Sequence, residues 1–438
     1  MSVRNCAFPW HWMLVTNDGD VLPCSHGSKS VGNLRENSIQ EIWNGTTMKG
    51  VRASLLRGEV HRVCESSECP FQRKDAAFPE SGEPLSIKEG FARAFDEEWY
   101  LGAYADVRDA VSKRRLASGL EHFIRHGRME GRSYRLVERE RRNAWANSIR
   151  AIGNLVRLGL GLARRAEKPL PNAVLALVEY SLGATQLRSR PVDIVVVIST
   201  ICNLRCVMCP HGMGLVDRPR HMPLDLMEKM ESFLTTASRM IVSGLGEPMM
   251  APAFWWIIEK TRGREDLFIR VNSNGHFITS EKAARLLDSA LAEISFSLDA
   301  ATSSTYARIR GGDFGKALNG VSTLLRLGKS MTNRRLDVFI NMTLMLENVS
   351  EAASFVALGA QLGADGIIFS QLFSFGDRPD WMVDRPDWRF KYSEQMLGRD
   401  PAEARRQIAR AKAAADDAAL PVHFLSNVLG YLNDLAVA

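Results

Sequence analysis

No run of about 18 consecutive apolar residues occurs in the 438-residue chain, so the sequence offers no membrane-spanning helix. The opening residues, MSVRNCAFPWHW, lack the apolar core of a secretory signal, and a cytoplasmic protein is the expectation. Concentrated charge is also missing. The net charge is only +6, from 56 Lys and Arg against 50 Asp and Glu. The basic residues fall in short clusters such as SKRR, ERERR and TNRR, not in the stripe a nucleic-acid binder presents, so no nucleic-acid partner is expected. A mild preference for anionic partners remains. A disulfide framework is excluded in turn, because seven cysteines are an odd number and the cytosol keeps thiols reduced. Metal or redox chemistry is the better use for them.

What is present is ordinary in bulk. Apolar residues make up 45% and charged residues 24% of the chain, as in soluble globular proteins, and the length points to two or three domains. The cysteines divide into two groups. Cys6, Cys24, Cys64 and Cys69 lie near the N-terminus; Cys202, Cys206 and Cys209 lie within STICNLRCVMCPHG, residues 199–212. Three thiolates so close have two plain uses. One is a zinc site completed by His211. The other is an iron–sulfur cluster with one iron left open, since a cubane normally takes four cysteines.

Residues 1–75 hold the first cysteine group, and the Pro- and Gly-rich AAFPESGEPLSIK, 76–88, reads as a linker. An aromatic-rich, mostly helical module follows over 89–137, then a helical connector over 138–188. In that connector Trp145, Ile149, Ile152, Val156 and Leu160 form one apolar stripe flanked by Arg150, Arg157, Arg164 and Arg165. From 189 to 377 the pattern changes. Six short apolar runs, DIVVVIST, MIVSGLG, LFIRVNSNG, LAEISFSLD, LDVFINMTLM and GIIFSQLF, alternate with helical stretches, which predicts a parallel α/β sheet. Ligands of such sheets bind at the C-terminal strand ends, and the three-cysteine loop follows the first strand on that side. Residues 378–438 read as an Arg/Ala-rich helical extension with one apolar run, PVHFLSN.

The C-x3-C-x2-C spacing, followed in order by SGLGEPMM, VNSNG, SFSLDA, YARIRGG and INMTLM, resembles the radical S-adenosylmethionine (radical SAM) superfamily. Met208 stands where an aromatic is frequent. The resemblance covers roughly 189–375. It implies a partial (β/α)6 TIM-like barrel in which Cys202, Cys206 and Cys209 hold a [4Fe–4S] cluster and the open iron takes the methionine part of S-adenosylmethionine. It implies further contacts to that cosubstrate from Gly244, Gly246, Glu247, Ser273, Asn274, Ser297, Arg310 and Asn341. The activity implied is reductive cleavage of S-adenosylmethionine to a 5′-deoxyadenosyl radical that takes a hydrogen atom from a substrate, in an oxidoreductase supplied by a flavodoxin- or ferredoxin-like reductant.

The N-terminal stretch joins the NDGD hairpin turn, VGNL and the amphipathic SIQEIWNGTTMKGVR to its four cysteines. It resembles the SPASM domain, the auxiliary-cluster module of peptide- and sulfatase-maturing radical SAM enzymes, here placed before the barrel. The resemblance implies a second [4Fe–4S] cluster on Cys6, Cys24, Cys64 and Cys69, with structural zinc as the alternative. Four protein ligands would leave that cluster to relay an electron. If all seven cysteines are ligands, none is free to donate a hydrogen atom. FDEEWYLGAYADVRDAV with GLEHFIRHGRMEGR resembles a short helical module found beside carbohydrate-active domains. Trp99, Tyr100, Tyr104 and Phe123 are its expected core, and His122 and His126 read as packing. The expected fold is therefore α/β: a radical SAM barrel preceded by a small α+β cluster domain and a helical insert. The substrate is a peptide or a carbohydrate.

Overall fold

The computed structural model describes residues 6–26, 28–66, 69, 97–113, 116, 118–122, 171–331, 336–372 and 380–425. The apolar stripe from Trp145 to Leu160, the linker 76–88, Phe123 and His126 lie outside the described residues. The chain divides into two compact units, Met1–Val197 with Met222–Ile241, and Ile198–His221 with Val242–Ala438.

In the first unit, strands β1 (Trp12–Val15) and β2 (Asp20–Leu22) form the hairpin expected around NDGD, with Leu14 opposite Leu22. Gly19 sits at φ +89°, a conformation the turn requires and a side chain would resist. A short β3 (Gly32–Asn33) pairs with β2. On its other side β1 runs parallel to β4 (Asp193–Val197), with Trp12 against Asp193 and Val15 against Val196. Strand β5 (Arg239–Ser243) follows β4 in the sheet order. Asp193 is held from two sides, by Arg239 at 2.8 and 3.0 Å and by His11 at 3.8 Å.

The stretch read as one amphipathic helix is two, Ile39–Trp43 and Thr46–Arg57. The first opens with a Ser38–Glu41 capping box, which satisfies two orphan N–H groups at once. The break at Asn44–Gly45 frees the Asn44 amide to bridge the main chain of Leu187 in both directions, at 2.8 Å each. Behind these helices the Arg52 guanidinium is fully buried. It donates to the carbonyls of Pro9 and Thr185, both at 2.9 Å, and lies 4.5 Å over the Trp43 ring. The helical module over Glu97–Ala103, Ala105–Ser112 and Gly119–His122 packs Tyr100 and Val107 against Trp99, Leu101 and Tyr104. His122 is bonded to the Tyr100 hydroxyl at 3.2 Å, and of the expected aromatic core Trp99, Tyr100 and Tyr104 pack together.

The second unit is a parallel sheet of β6 (Phe268–Ser273), β7 (Leu291–Ser297), β8 (Asp337–Leu344) and β9 (Gly366–Gln371). Together with β4 and β5 these account for all six predicted strands. Their near-continuous burial is what helices on the faces of a parallel sheet produce. The helices Ser280–Leu287, Ser303–Arg310 and Phe314–Lys329 each start on a side-chain cap, from Thr279, Thr302 and Asp313. The C-terminal extension is not purely helical. It begins with an antiparallel hairpin, β10 (Met382–Arg385) and β11 (Trp388–Lys391), whose turn carries Pro386. Helix Pro401–Asp417 follows, and the apolar run over 421–427 forms β12 (Val422–Phe424), parallel to β9. β10, MVDR, shows no alternation, and four residues per strand are too few for a period-two pattern to stand out.

Replacing Arg52 with Ala should leave the buried Pro9 carbonyl and the part-buried Thr185 carbonyl without this donor. The expected result is a drop of about 3 kcal/mol in unfolding free energy, read from the urea midpoint. An unchanged midpoint would show that the guanidinium does not tie Pro9 to Thr185.

Candidate active site and cluster ligands

The three-cysteine loop, Ile198–His221, is closed at its base. Ser199 and His221 bridge, the Ser199 Oγ lies 2.9 Å from His221 Nδ1, and the Thr200 N–H donates to the Arg220 carbonyl at 2.9 Å. Two glycines admit this loop. A Cβ on Gly244 would meet the Ser199 carbonyl oxygen at 2.3 Å, and one on Gly246 would meet the Ile201 oxygen at the same distance. The sequence expectation placed a ligand against these glycines; the structure fills that space with loop backbone. The contact is sealed by the N–H groups of Gly246 and Glu247, which donate to Ser199 and Ile201 at 3.1 and 2.8 Å.

Glu247 is 2% exposed. Its carboxylate accepts from the Ser273 hydroxyl at 2.8 Å, the Asn274 N–H at 2.8 Å and the Met249 N–H at 3.2 Å. Burial pushes its pKa up, against the pull of these donors. Two of the donors fall on one oxygen and one on the other, so of about four acceptor positions one remains on Oε2. The Asn274 amide reaches Asn203 at 2.7 Å and the Cys202 sulfur at 3.9 Å. Glu247, the end of β6 and the first cysteine thus form one connected set.

Arg310 lies behind the loop. Its Nη1 donates to Asp299 at 2.8 Å, and Asp299 is fully buried. Asp299 in turn accepts the Thr343 N–H at 2.6 Å, and its carbonyl accepts from Asn348 at 2.9 Å. The Arg310 Nε is buried without a partner, an orphan donor of the kind an anionic ligand satisfies. Tyr306 bonds to His276 at 3.0 Å, and His276 lies 3.3 Å from Asn203. Asp299, Tyr306, His276 and Asn203 were not singled out from the sequence, although each sits inside or beside a quoted motif. Ser297, the last residue of β7, stands in register with Asn341, which lies inside β8. His211 has its Nδ1 buried and unpartnered.

The thiols belong to this network. Cys206 is buried, and burial pushes it up to about 12, with Arg310 pulling down and Cys209, Asp299 and Cys202 adding to the rise. Cys202 is raised by burial too. In the first unit, burial raises Cys6, opposed by the Phe8 N–H, with Cys24, Cys64 and Cys69 close enough to push further. Cys64 is driven up to about 12 by burial and by Cys24 and Cys69. Thiolate is the metal-binding form, and burying several together requires a cation among them. Both cysteine sets therefore fit an iron–sulfur cluster. Among the described residues no three His, Cys, Asp or Glu side chains close around a single ion.

Changing Asp299 to Asn should strand a buried guanidinium. The expected cost is about 3–5 kcal/mol in denaturant unfolding. A loss below about 1 kcal/mol would mean that the pair does not anchor Arg310.

Comparison with known proteins agrees with this geometry. Residues 196–358 match the radical SAM superfamily, and residues 6–70 match SPASM, an iron–sulfur cluster-binding domain. Mycofactocin maturase MftC of Mycolicibacterium smegmatis is 29% identical over 171 residues, 37% of this chain and 40% of the maturase. A GTP 3′,8-cyclase of Alkaliphilus metalliredigens is 28% identical over 197 residues, 43% of this chain and 58% of the cyclase. The chain thus spans about two-fifths of the maturase's length. Among solved structures, Streptococcus suis SuiB bound to precursor peptide SuiA shares 13% identity at a TM-score of 0.44, covering 66% of this chain and 65% of SuiB. No helix among the described residues is long and apolar enough to cross a membrane. The order of the matched segments is the unusual one expected from the sequence, with the SPASM match at residues 6–70 preceding the radical SAM match at 196–358.

Proposed function

We propose that this chain is a radical SAM oxidoreductase that modifies a peptide, with Cys202, Cys206 and Cys209 holding the catalytic cluster and Cys6, Cys24, Cys64 and Cys69 an auxiliary one. The observation that carries the reading is the convergence on one loop of three cysteines, an acceptor left on Glu247 and an unpartnered donor on Arg310. When bound, the catalytic cluster and S-adenosylmethionine together supply a 5′-deoxyadenosyl radical. The protein's own part is placement. Glu247 Oε2 takes the cosubstrate ammonium, the Arg310 Nε its carboxylate, and Ser273, Asn274, Ser297 and Asn341 line the ribose side. Gly244 and Gly246 serve by letting the cysteine loop seat. The likeness to a maturase and the SPASM segment support a peptide substrate. The carbohydrate alternative rested on the 89–137 module, of which Trp99, Tyr100 and Tyr104 are occupied in their own core. An auxiliary cluster with four protein ligands suits electron relay, and a flavodoxin- or ferredoxin-like reductant would supply the first electron. With all seven cysteines engaged, no thiol is left to return a hydrogen atom, and the net reaction is an oxidation.

Anaerobic reconstitution should give about eight irons per chain. Dithionite with S-adenosylmethionine should then yield 5′-deoxyadenosine. Changing Cys202, Cys206 and Cys209 together to Ala should remove that product and half of the iron. About four irons with intact cleavage would sink the auxiliary cluster. Two clusters with no cleavage would sink the catalytic reading and leave an electron-transfer protein.

A further inference from the structure

The β10–β11 hairpin has no part in the reading above, yet it packs on the cysteine loop. Trp381, Trp388 and Met396 share one apolar cluster with Val207, Met208 and Met213 of that loop. Met208 is the residue before Cys209. The register, Val383 against Phe390 and Arg385 against Trp388, turns one face of the hairpin inward. The opposite face carries Asp384 paired with Arg389, and Met382 is exposed.

Both tryptophans of the inner face have an indole Nε1 that is buried and unpartnered. The rest of the molecule shows what such a group is given. Trp10 donates to the Ala184 carbonyl at 2.7 Å, Trp43 to Ser189 at 2.8 Å and Trp255 to Met249 at 3.0 Å. In each case the acceptor is a main-chain carbonyl. Buried polar groups are rarely left unbonded, and here two are left together beside the catalytic loop.

We propose that this hairpin is a substrate wall of the active site, in which the indole N–H groups of Trp381 and Trp388 bind main-chain carbonyl oxygens of the peptide. The assignment rests on the peptide reading above and adds the residues that recognise it. An indole N–H donates and cannot accept. A row of carbonyls meets such a wall fully, whereas sugar hydroxyls also need acceptors. Three nearby carboxylates are already engaged, Asp380 by Ser393, Glu394 by Lys391 and Asp384 by Arg389, and Asp387 lies exposed in the turn. Methionine and tryptophan side chains around the donors provide an adaptable apolar surface for the peptide's own side chains.

The test uses the full-length, anaerobically reconstituted protein with S-adenosylmethionine. The probes are a pool of random dodecapeptides with blocked ends and, separately, maltotetraose and chitotetraose. Bound molecules are identified by mass spectrometry after rapid gel filtration. The wild type should retain a subset of peptides and neither sugar. The Trp381→Phe/Trp388→Phe double variant keeps both rings and loses both N–H groups, and its retention should fall by at least about tenfold. Val383→Ala, which trims the same face without touching a donor, should retain the peptides. Iron content and circular dichroism report whether each variant is folded. Equal retention by the double variant, equal loss with Val383→Ala, retention of no peptide, or tryptophan-dependent retention of a sugar would each overturn the proposal. Formation of 5′-deoxyadenosine by the wild type is scored independently. Its failure counts against the catalytic reading, while peptide retention still reads the wall.

Discussion

A carboxylate taken out of water must be compensated in place, and Glu247 is compensated by its own turn and by the end of β6. Its own turn contributes the Met249 N–H, and the end of β6 contributes the Ser273 hydroxyl and the Asn274 N–H. Asn274 carries the link onward to Asn203 and the Cys202 sulfur. Loss of this anion would release three donors at once and uncouple the strand end from the cysteine loop. The residue therefore organises the site before any ligand arrives. Its remaining acceptor is aimed by the same bonds that hold it.

Arg310 obeys the same logic with opposite charge. Asp299 neutralises it from behind and is itself pinned by Thr343 and Asn348. The guanidinium is thus oriented, and its Nε is left over. Two buried charges of opposite sign, each tied to the scaffold, one with an acceptor left on Oε2 and the other with its buried Nε unpartnered, suit a zwitterionic ligand better than any single ion.

Much of this was legible in the sequence. The six strands announce themselves as apolar β-branched runs, and the cysteine spacing is a local signal. The order of SGLGEP, SNG and SLD along the chain places each motif at a strand end, and RIRGG closes the helix Ser303–Arg310. What could not be read was non-local. Nothing in ICNLRC says that the glycines of SGLGEP would be spent on its backbone, because close approach is a property of two segments. Arg310 was singled out, but its partner Asp299 lies in a different motif, SFSLDA, where a carboxylate after a strand end reads equally as a turn. The break between the helices at Gly45 was masked by a continuous amphipathic period. The hairpin over 382–391 was masked by its brevity and its charges. The pairing of β1 with β4 had no signal in either strand alone.

That pairing bears on how the molecule comes into being. Trp12 waits for Asp193, a sequence separation of roughly 180 residues, and contacts so distant are slow to form. A chain emerging from the ribosome exposes Cys6, Cys24, Cys64 and Cys69 long before β4 exists to receive β1. Closure of the first unit is therefore a late event in biogenesis. The interval before it is when these thiols are open to iron–sulfur delivery, and equally to oxidation.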